Sequence, residues 1–392
     1  MGQFSRSPLR ICFPFVGDTL GGSHLSALAL IDGLDPRRFD PQIVLHKDGL
    51  LAEHLLASGK CFMMAPMGSV VESEAYLPTA VGALRATRRL TAFAKELGVQ
   101  LVHTNDVRMH TSWAVAARIA GARLILHQRS ITRSRRVSVA ARLADSVLTN
   151  SEFCRRSFLP AMRRRAQVVP NPVQPPSAPV CRQAARAEIL SELDAGPETR
   201  LVAFVANVRA QKRPLVFVDA IAALRRRFGD DTRGVMFGEL RTPGCQELLT
   251  HIERVGLDGL CVPMGPRFPI EPLLAGCDVL LAPAVGEGFG RTLVEAMLVG
   301  TPVVAVHSGA HPEVVDDQRT GLLVPPDNAQ ALADAATRLL DDVEFTESIV
   351  EAARDAATTR YDTERHVDIV QAVYDSAVAA TSDPRTRWRR GA

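Results

Sequence analysis

The sequence predicts an α/β protein made of two doubly wound, Rossmann-like domains that face each other across a cleft. Three observations carry that expectation. Short apolar runs alternate with helical hydrophobic periods along the whole chain, the trace that a parallel sheet with crossover helices leaves in a sequence. The alternation pauses at the proline-dense stretch VVPNPVQPPSAPVC (168–181) and then restarts, which marks a linker. Finally, 392 residues exceed what one ordinary hydrophobic core organises.

The elements follow in order. RICFPFVG (10–17) reads as a buried strand, followed by a glycine loop and a helix from about Ser23. PQIVLHK, VQLVHTND, ARLILHQRS, DSVLTNS and AQVVPNP read as further strands, each closed by polar, glycine or proline residues. Beyond the linker the scheme repeats with RLVAFVANVR, GVMFGE, LCVPMG, DVLLAP, TPVVAVH and GLLVPP. The helix after this last strand is expected to open at Asp327, with Gln330 as its capping-box partner. TERHVDIVQAVYDSAVAA (363–380) reads as a final helix and 381–392 as a loose tail. The expected divisions are therefore 1–174, 175–362, 363–380 and 381–392.

At 46% hydrophobic and 23% charged residues the composition is that of a soluble globular protein. No apolar run approaches the ~18 residues that a membrane span needs. The N-terminus shows no secretory h-region, and Arg6 stands where a myristoylation signal requires Ser or Thr. The seven cysteines are scattered and never spaced C-x-x-C, which fits a cytoplasmic chain better than a disulfide framework or a zinc site.

Charge is unevenly distributed. Up to residue 175 there are 23 Lys+Arg against 12 Asp+Glu; beyond it, 23 against 31. Clusters such as RSITRSRR (129–136) and MRRRAQ (162–167) suit an anionic acceptor or a peripheral contact with an anionic membrane. They equally suit a solvated arginine-rich face. No nucleic-acid-binding motif accompanies them, so nucleic acid is not expected as a partner.

The chemistry concentrates in GEGFGRTLVEAM (286–297). On one helix Glu287 and Glu295 would stand ~12 Å apart along the axis and point away from each other. Hydrolytic carboxyl pairs lie about 5 to 9.5 Å apart, so the two glutamates do different jobs. Leu293, Val294, Met297 and Leu298 form an apolar stripe that starts the helix near Gly290 or Arg291, with Gly300 as its stop. Glu287 then lies in the preceding loop, and Glu295 on the helix off that stripe. Gly288 and Gly290 allow close backbone approach, and the amides of Gly290, Arg291 and Thr292 are helix-start donors suited to a phosphate. Lys212 is one of four lysines among 46 basic residues. No D-x-D metal motif stands out, and Asp316–Asp317 is a poor substitute.

The stretch DVLLAPAVGEGFGRTLVEAMLVGTPVVAVHSGAHPEVVDDQRTGLLVPP (278–326) resembles the C-terminal half of retaining GT-B glycosyltransferases of glycosyltransferase family 4, including their E-x(7)-E element. The resemblance implies an N-terminal acceptor-binding domain, a C-terminal nucleotide-sugar-binding domain and a last helix that crosses back to the N-terminal domain. It implies that Glu287 hydrogen-bonds the donor sugar, with the Gly288, Phe289 and Gly290 amides beside it. Glu295 would hold the ribose, and Arg291 and Thr292 would offer backbone donors to the diphosphate. Arg209 and Lys212 would neutralise the leaving diphosphate, Arg213 following them. Gly21 and Gly22 would close over the donor, with Ser23 and His24 next to them, and His127 would lie beside the reacting sugar. Arg129 would contact acceptor or phosphate and Glu313 the nucleotide, whereas Asn105 departs from the histidine frequent in relatives. Retention, independence of metal ions and cofactors, and a place in bacterial polysaccharide, glycolipid or glycoconjugate synthesis at the inner face of the membrane are further implications. A catalytically silent nucleotide-sugar-binding subunit and a GT-B epimerase or phosphorylase are the alternatives.

Overall fold

The computed structural model describes residues 7–66, 80–132, 134–176, 178–240 and 244–379. The tail expected at 381–392 and Arg133 of the basic cluster lie outside the described residues. The chain divides into two compact units. One runs to Pro172 and resumes at Thr363; the other is Val173–Asp362. The division falls in the proline-rich stretch, two residues before the expected position.

The first unit is a seven-stranded parallel sheet of β1 (Leu9–Phe15), β2 (Phe39–Leu45), β3 (Met63–Met64), β4 (Leu101–Thr104), β5 (Arg123–Gln128), β6 (Ser146–Thr149) and β7 (Ala166–Val168). Its spatial order is β3-β2-β1-β4-β5-β6-β7. β3 escaped the sequence reading because two residues leave no periodicity; its pairing with Val44 and Leu45 defines it. Both faces are covered, so the strands read as apolar runs rather than strict alternation. Cys12, Val44, Val102, Leu124 and Val147 pack under the helices Ala80–Glu96, Val107–Ala120 and Arg135–Leu143, with Trp113 fully buried. Ile11, Phe13, Phe15, Leu45, Leu101 and Ile125 pack on the opposite face.

The final helix, Thr363–Ala379, completes that second face. Its Val367, Val370 and Tyr374 are buried in the core of the first unit. Tyr374 meets the Phe39 ring edge-on at 5.7 Å, and its hydroxyl lies 2.5 Å from His103 Nδ1. A Cβ on Gly33 would come within 2.5 Å of Val367 Cγ2, so only glycine lets the helix Gly22–Gly33 approach this closely.

The second unit is a six-stranded parallel sheet of β8 (Arg200–Val205), β9 (Thr232–Phe237), β10 (Cys261–Gly265), β11 (Val279–Ala282), β12 (Val303–Val306) and β13 (Leu322–Val324), ordered β10-β9-β8-β11-β12-β13. One face carries the helices Pro214–Phe228 and Ala329–Asp341; the other packs Leu293, Val294, Met297, Ala353 and Tyr361. Cys12, Cys154, Cys261 and Cys277 are buried, and burial pushes the Cys261 and Cys277 thiols up to about 12. No helix among the described residues is long and apolar enough to cross a membrane.

Two helix starts differ from expectation. The helix Ala329–Asp341 is capped by Asn328, whose side chain accepts from the Ala331 amide at 2.9 Å. Asp327 takes a left-handed φ of 55° and turns its carboxylate to Arg213, while Gln330 bonds Asp334. The cap thus sits one residue later, because the tight turn spends Asp327 on a tertiary contact. The first helix begins at Gly22 rather than Ser23, with Gly21 in the cap position and no side-chain cap.

Tyr374→Ala is expected to destabilise the protein by ~3–5 kcal/mol in denaturant unfolding, because it empties a large buried site. Tyr374→Phe, which leaves only His103 Nδ1 without its partner, should cost about 1–3 kcal/mol.

Candidate active site

In the second unit the strand order reverses between β8 and β11: β9 and β10 extend to one side, β12 and β13 to the other. Open α/β sheets bind ligands beyond the carboxyl ends of the strands at such a reversal. Two loops meet there. The turn after β8 contains Arg209, exposed, and a short helical turn Ala210–Lys212. The loop after β11 carries Gly286–Gly290. Gln211 joins them: its carbonyl accepts from the Val285 amide at 3.0 Å, and its side-chain amide donates to the Gly286 carbonyl at 3.1 Å. Lys212 Nζ then donates to Glu287 Oε1 at 2.5 Å.

The loop after β12 holds Glu287 from the other side. Ser308 Oγ accepts from the Gly286 amide at 3.1 Å, and the Ala310 amide donates to the Glu287 carbonyl at 2.9 Å. Gly309 has φ 65°, and a Cβ there would lie 2.5 Å from the Glu287 backbone, so the loop can fit only as glycine. His311, buried, donates from Nδ1 to the Val306 carbonyl at 3.0 Å and places Nε2 3.7 Å from Glu287 Oε2. Burial by itself would raise the Glu287 pKa. The neighbouring His311 ring and the Lys212 charge outweigh it and hold the carboxyl at about 2.

The helix Arg291–Val299 opens at Gly290, left-handed at φ 89°, and stops at Gly300, left-handed at φ 81°. Its first amides, at Arg291 and Thr292, point to the strand-end side by the geometry of a helix start. Glu295, expected on the helix off the apolar stripe, is itself buried, with its residue 4% exposed. Every residue from Leu293 to Leu298 is buried, so this helix has no solvated face through its middle. Arg291 Nε donates to Glu295 Oε1 at 2.6 Å. Burial raises the Glu295 pKa, Arg291 opposes that, and Glu271 adds to it. Phe289 turns its ring into the core, edge-on to Tyr361 at 5.4 Å, which leaves only its backbone for a ligand. Arg213 is engaged by Asp327, Glu313 is exposed, and Asp316 pairs with Arg360.

In the first unit the order reverses between β1 and β4. Asp18, in the loop after β1, pairs with Arg108 through two hydrogen bonds of 2.9 and 3.1 Å. Gly21 is exposed, extended, and has open space where a Cβ would stand, so nothing among the described residues forces glycine there. Ser23 does not cap the helix. Burial lowers the His24 pKa to about 4. His127 ends β5 fully buried, with ring centroids 5.6 Å from His103 and 5.9 Å from His366. Neither of its ring nitrogens has a hydrogen-bond partner among the described residues. Burial first, then the Arg129 charge and the neighbouring histidines, holds its pKa well below the usual value and keeps the ring neutral. Arg129 is itself buried: its guanidinium binds Asn105 Oδ1 and Asn171 Oδ1, and its carbonyl accepts from Asn150 at 2.9 Å. The departure at Asn105 therefore supplies a seat for Arg129.

Sequence reasoning missed Gln211, Ser308, His311, Asp18, Arg108 and His366. One signal was available. Asn105, Asn150 and Asn171 each stand just beyond a strand; the first and last accept from the buried guanidinium of Arg129, and Asn150 donates to its carbonyl.

Two α/β units, each with charged loops at a strand-order reversal, define a protein whose ligand sites lie at the carboxyl ends of its strands. The comparisons narrow that class. The family described as Glycosyl transferases group 1 matches residues 199–342. The D-inositol 3-phosphate glycosyltransferase of Paenarthrobacter aurescens is 30% identical over 295 residues, 74% of this chain and 70% of that protein. That of Corynebacterium glutamicum is 34% identical over 172 residues, 42% of this chain and 41% of that protein. HepE of Anabaena, solved in complex with UDP and glucose, superposes with a TM-score of 0.80 over 94% of this chain and 100% of that chain at 22% identity. The chain belongs to the group 1 glycosyl transferases.

The pKa shifts fix the sign of two pH effects. The Glu287 pKa is depressed from 4.5 to about 2, so its stabilisation is complete above about pH 4.5 and lost as pH falls towards about 2. Calorimetry between about pH 6 and about pH 3 should therefore lower the Tm of the native protein more than that of Glu287→Gln. The lowered pKa values of His103, His127 and His366 act below about pH 6.5, where the unfolded chain binds protons that the folded one refuses. Stability should fall there by up to ~1.4 kcal/mol per pH unit per histidine. His127→Phe should flatten that slope in urea unfolding.

Proposed function

We propose that the protein is a retaining glycosyltransferase that moves a sugar from a nucleoside diphosphate sugar to an acceptor hydroxyl. The observation that carries this reading is the Lys212–Glu287 pair at the strand-order reversal, beside the start of the helix Arg291–Val299. The site offers cations and helix-start amides for a diphosphate and an ionised carboxylate for hydroxyls, which are the two ends of a nucleotide sugar.

In this reading the diphosphate lies against the Gly290, Arg291 and Thr292 amides, with Arg209 and Lys212 taking up the charge that grows as the sugar leaves. Preorganised charge of this kind is a large catalytic contribution. Glu287, with the Gly288 and Phe289 amides, grips the sugar, and Glu295 takes the ribose hydroxyls once Arg291 turns aside. The leaving phosphate oxygen accepts the acceptor proton on the face from which the sugar departs, so the anomeric configuration is retained. Arg209 and Lys212 carry the charge that a divalent ion would otherwise carry, and no cofactor enters the scheme. Gly21 and Gly22 close over the donor, and His127 stands by the reacting sugar as a neutral ring.

The donor of first choice is a UDP-sugar, since HepE, which shares this fold, was solved with UDP and glucose. An anionic or lipid-linked acceptor fits the basic first unit, and the inositol phosphate named for the two relatives is itself anionic. Three neighbouring helices of that unit expose Val81, Leu84, Ile119 and Val139 among the exposed Arg85, Arg88, Arg89, Arg135 and Arg142. Such a mixed face suits peripheral binding to the anionic inner face of a membrane and a role in bacterial polysaccharide, glycolipid or glycoconjugate synthesis.

A thermal-shift screen of UDP-, GDP- and ADP-sugars should give one nucleotide class that raises Tm. Arg209→Ala and Lys212→Ala should each lower sugar transfer or donor hydrolysis by about 10²–10³-fold with the fold intact. Full turnover in both variants would remove the phosphate assignment. Vesicles of anionic lipid should retain the protein at low salt and release it at high salt, and Leu84→Asp should weaken that retention.

A further inference from the structure

We propose that His311 is a positioning residue for Glu287: it receives the carboxylate when Lys212 leaves it, and so keeps Glu287 charged and aimed while the donor is bound. The inference rests on the reading of the site as a nucleotide-sugar clamp, but the pairing itself is a property of the protein alone.

The geometry singles out this ring. The Val306 carbonyl can only accept, so Nδ1 carries a hydrogen and Nε2 is the atom left to face Glu287. Nε2 is buried, has no hydrogen-bond partner among the described residues, and stands 3.7 Å from Glu287 Oε2, just beyond bonding range. The ring is buried and held by its Nδ1 bond to the Val306 carbonyl. A Cβ on Gly290 would lie 3.2 Å from His311 Cδ2, so the glycine that starts the adjoining helix also makes room for the imidazole edge. The charged groups facing Nε2 are Glu287 on the neighbouring loop and, behind it across the strand-order reversal, Lys212; the short helix that His311 begins also carries Glu313, which is exposed.

Lys212 cannot serve two partners equally. In the resting site its ammonium is on Glu287 Oε1. A diphosphate arriving beside it would carry more charge than one carboxylate and would draw the ammonium away. Glu287 would then be a shielded carboxylate without its cation, which favours uptake of a proton and loss of its acceptor role. His311 prevents this. One proton taken from solvent onto Nε2 makes the ring an imidazolium, which donates to Oε2 and leaves Oε1 for a sugar hydroxyl. The charge balance is kept: the carboxylate exchanges one cation for another, and Lys212 goes to the phosphate.

The first test needs no ligand. Lys212→Met imitates the departure of the ammonium, and the His311 imidazole signals, assigned by their loss in His311→Gln, are followed with pH by NMR. The midpoint should rise by a unit or more in Lys212→Met relative to the native protein, and most of the rise should vanish in Lys212→Met/Glu287→Gln (on the order of the shifts that close charges produce). Equal midpoints in the native protein and Lys212→Met, or the same rise in the double variant, would overturn the proposal. The second test uses UDP and UDP-glucose, and GDP and GDP-mannose, as probes. His311→Leu should hold the free nucleoside diphosphate within about twofold of the native affinity and lose about tenfold or more in kcat, with the acid limb of its pH profile moved to higher pH. His311→Gln, which can donate but cannot charge, should recover part of kcat and not the acid limb. Unchanged turnover in His311→Leu overturns the positioning role and leaves the enzyme reading standing. If the NMR result holds but no UDP-, GDP- or ADP-sugar is bound or turned over by the native protein, the function reading fails and the positioning role fails with it, while the His311–Glu287 coupling stands.

Discussion

Glu287 is a carboxylate with only about a quarter of its side chain exposed, and such a group stays charged only if cations face it. Much of the second unit is arranged around that demand. Lys212 comes from the turn after β8, Glu287 from the loop after β11 and His311 from the loop after β12. Parallel strands deliver all three to one end, because every strand finishes on the same edge of the sheet. The reversal of strand order then sets the first two loops side by side instead of separating them by an intervening strand.

The glycines around the site follow from the same closeness. Gly309 passes over the Glu287 backbone where a methyl group would collide, and Gly290 starts a helix left-handed while clearing the His311 ring. Gly238, at the end of β9, has φ 145° and passes within 2.1 Å of the Ala206 carbonyl at the position its Cβ would take. These positions let loops touch one another without side chains between them, which keeps the strand ends open to a ligand. Gly21 in the first unit differs, since its surroundings would accept a side chain. Close approach by something outside the described contacts is the remaining physical reason for glycine there.

The first unit treats its polar groups in the opposite manner. His127 stacks on His366 and lies tilted against His103, all three rings neutral, and Arg129 is locked among asparagines. Neutral rings beside a buried guanidinium avoid a cluster of like charges, at the cost of leaving several ring nitrogens without partners among the described residues. His366 belongs to the final helix, whose Tyr374 also bonds His103, so that helix completes this interior.

The sequence by itself determined the two α/β halves, their linker, nearly every strand, and the loop-and-helix division between Glu287 and Glu295. Those features are written in local patterns: apolar runs of strand length, a 3.6-residue stripe ending at Gly300, and glycines at turns. The tertiary structure decided what local patterns cannot carry. It buried Glu295 in the middle of its helix, moved a helix cap from Asp327 to Asn328 by giving Asp327 to Arg213, and revealed His311 behind Glu287. Glu287 and His311 are 24 residues apart in sequence and Lys212 is 75 residues from Glu287, so their pairing depends on strand order alone. A chain records the residue types that chemistry needs, and only the sheet brings those residues within reach of each other.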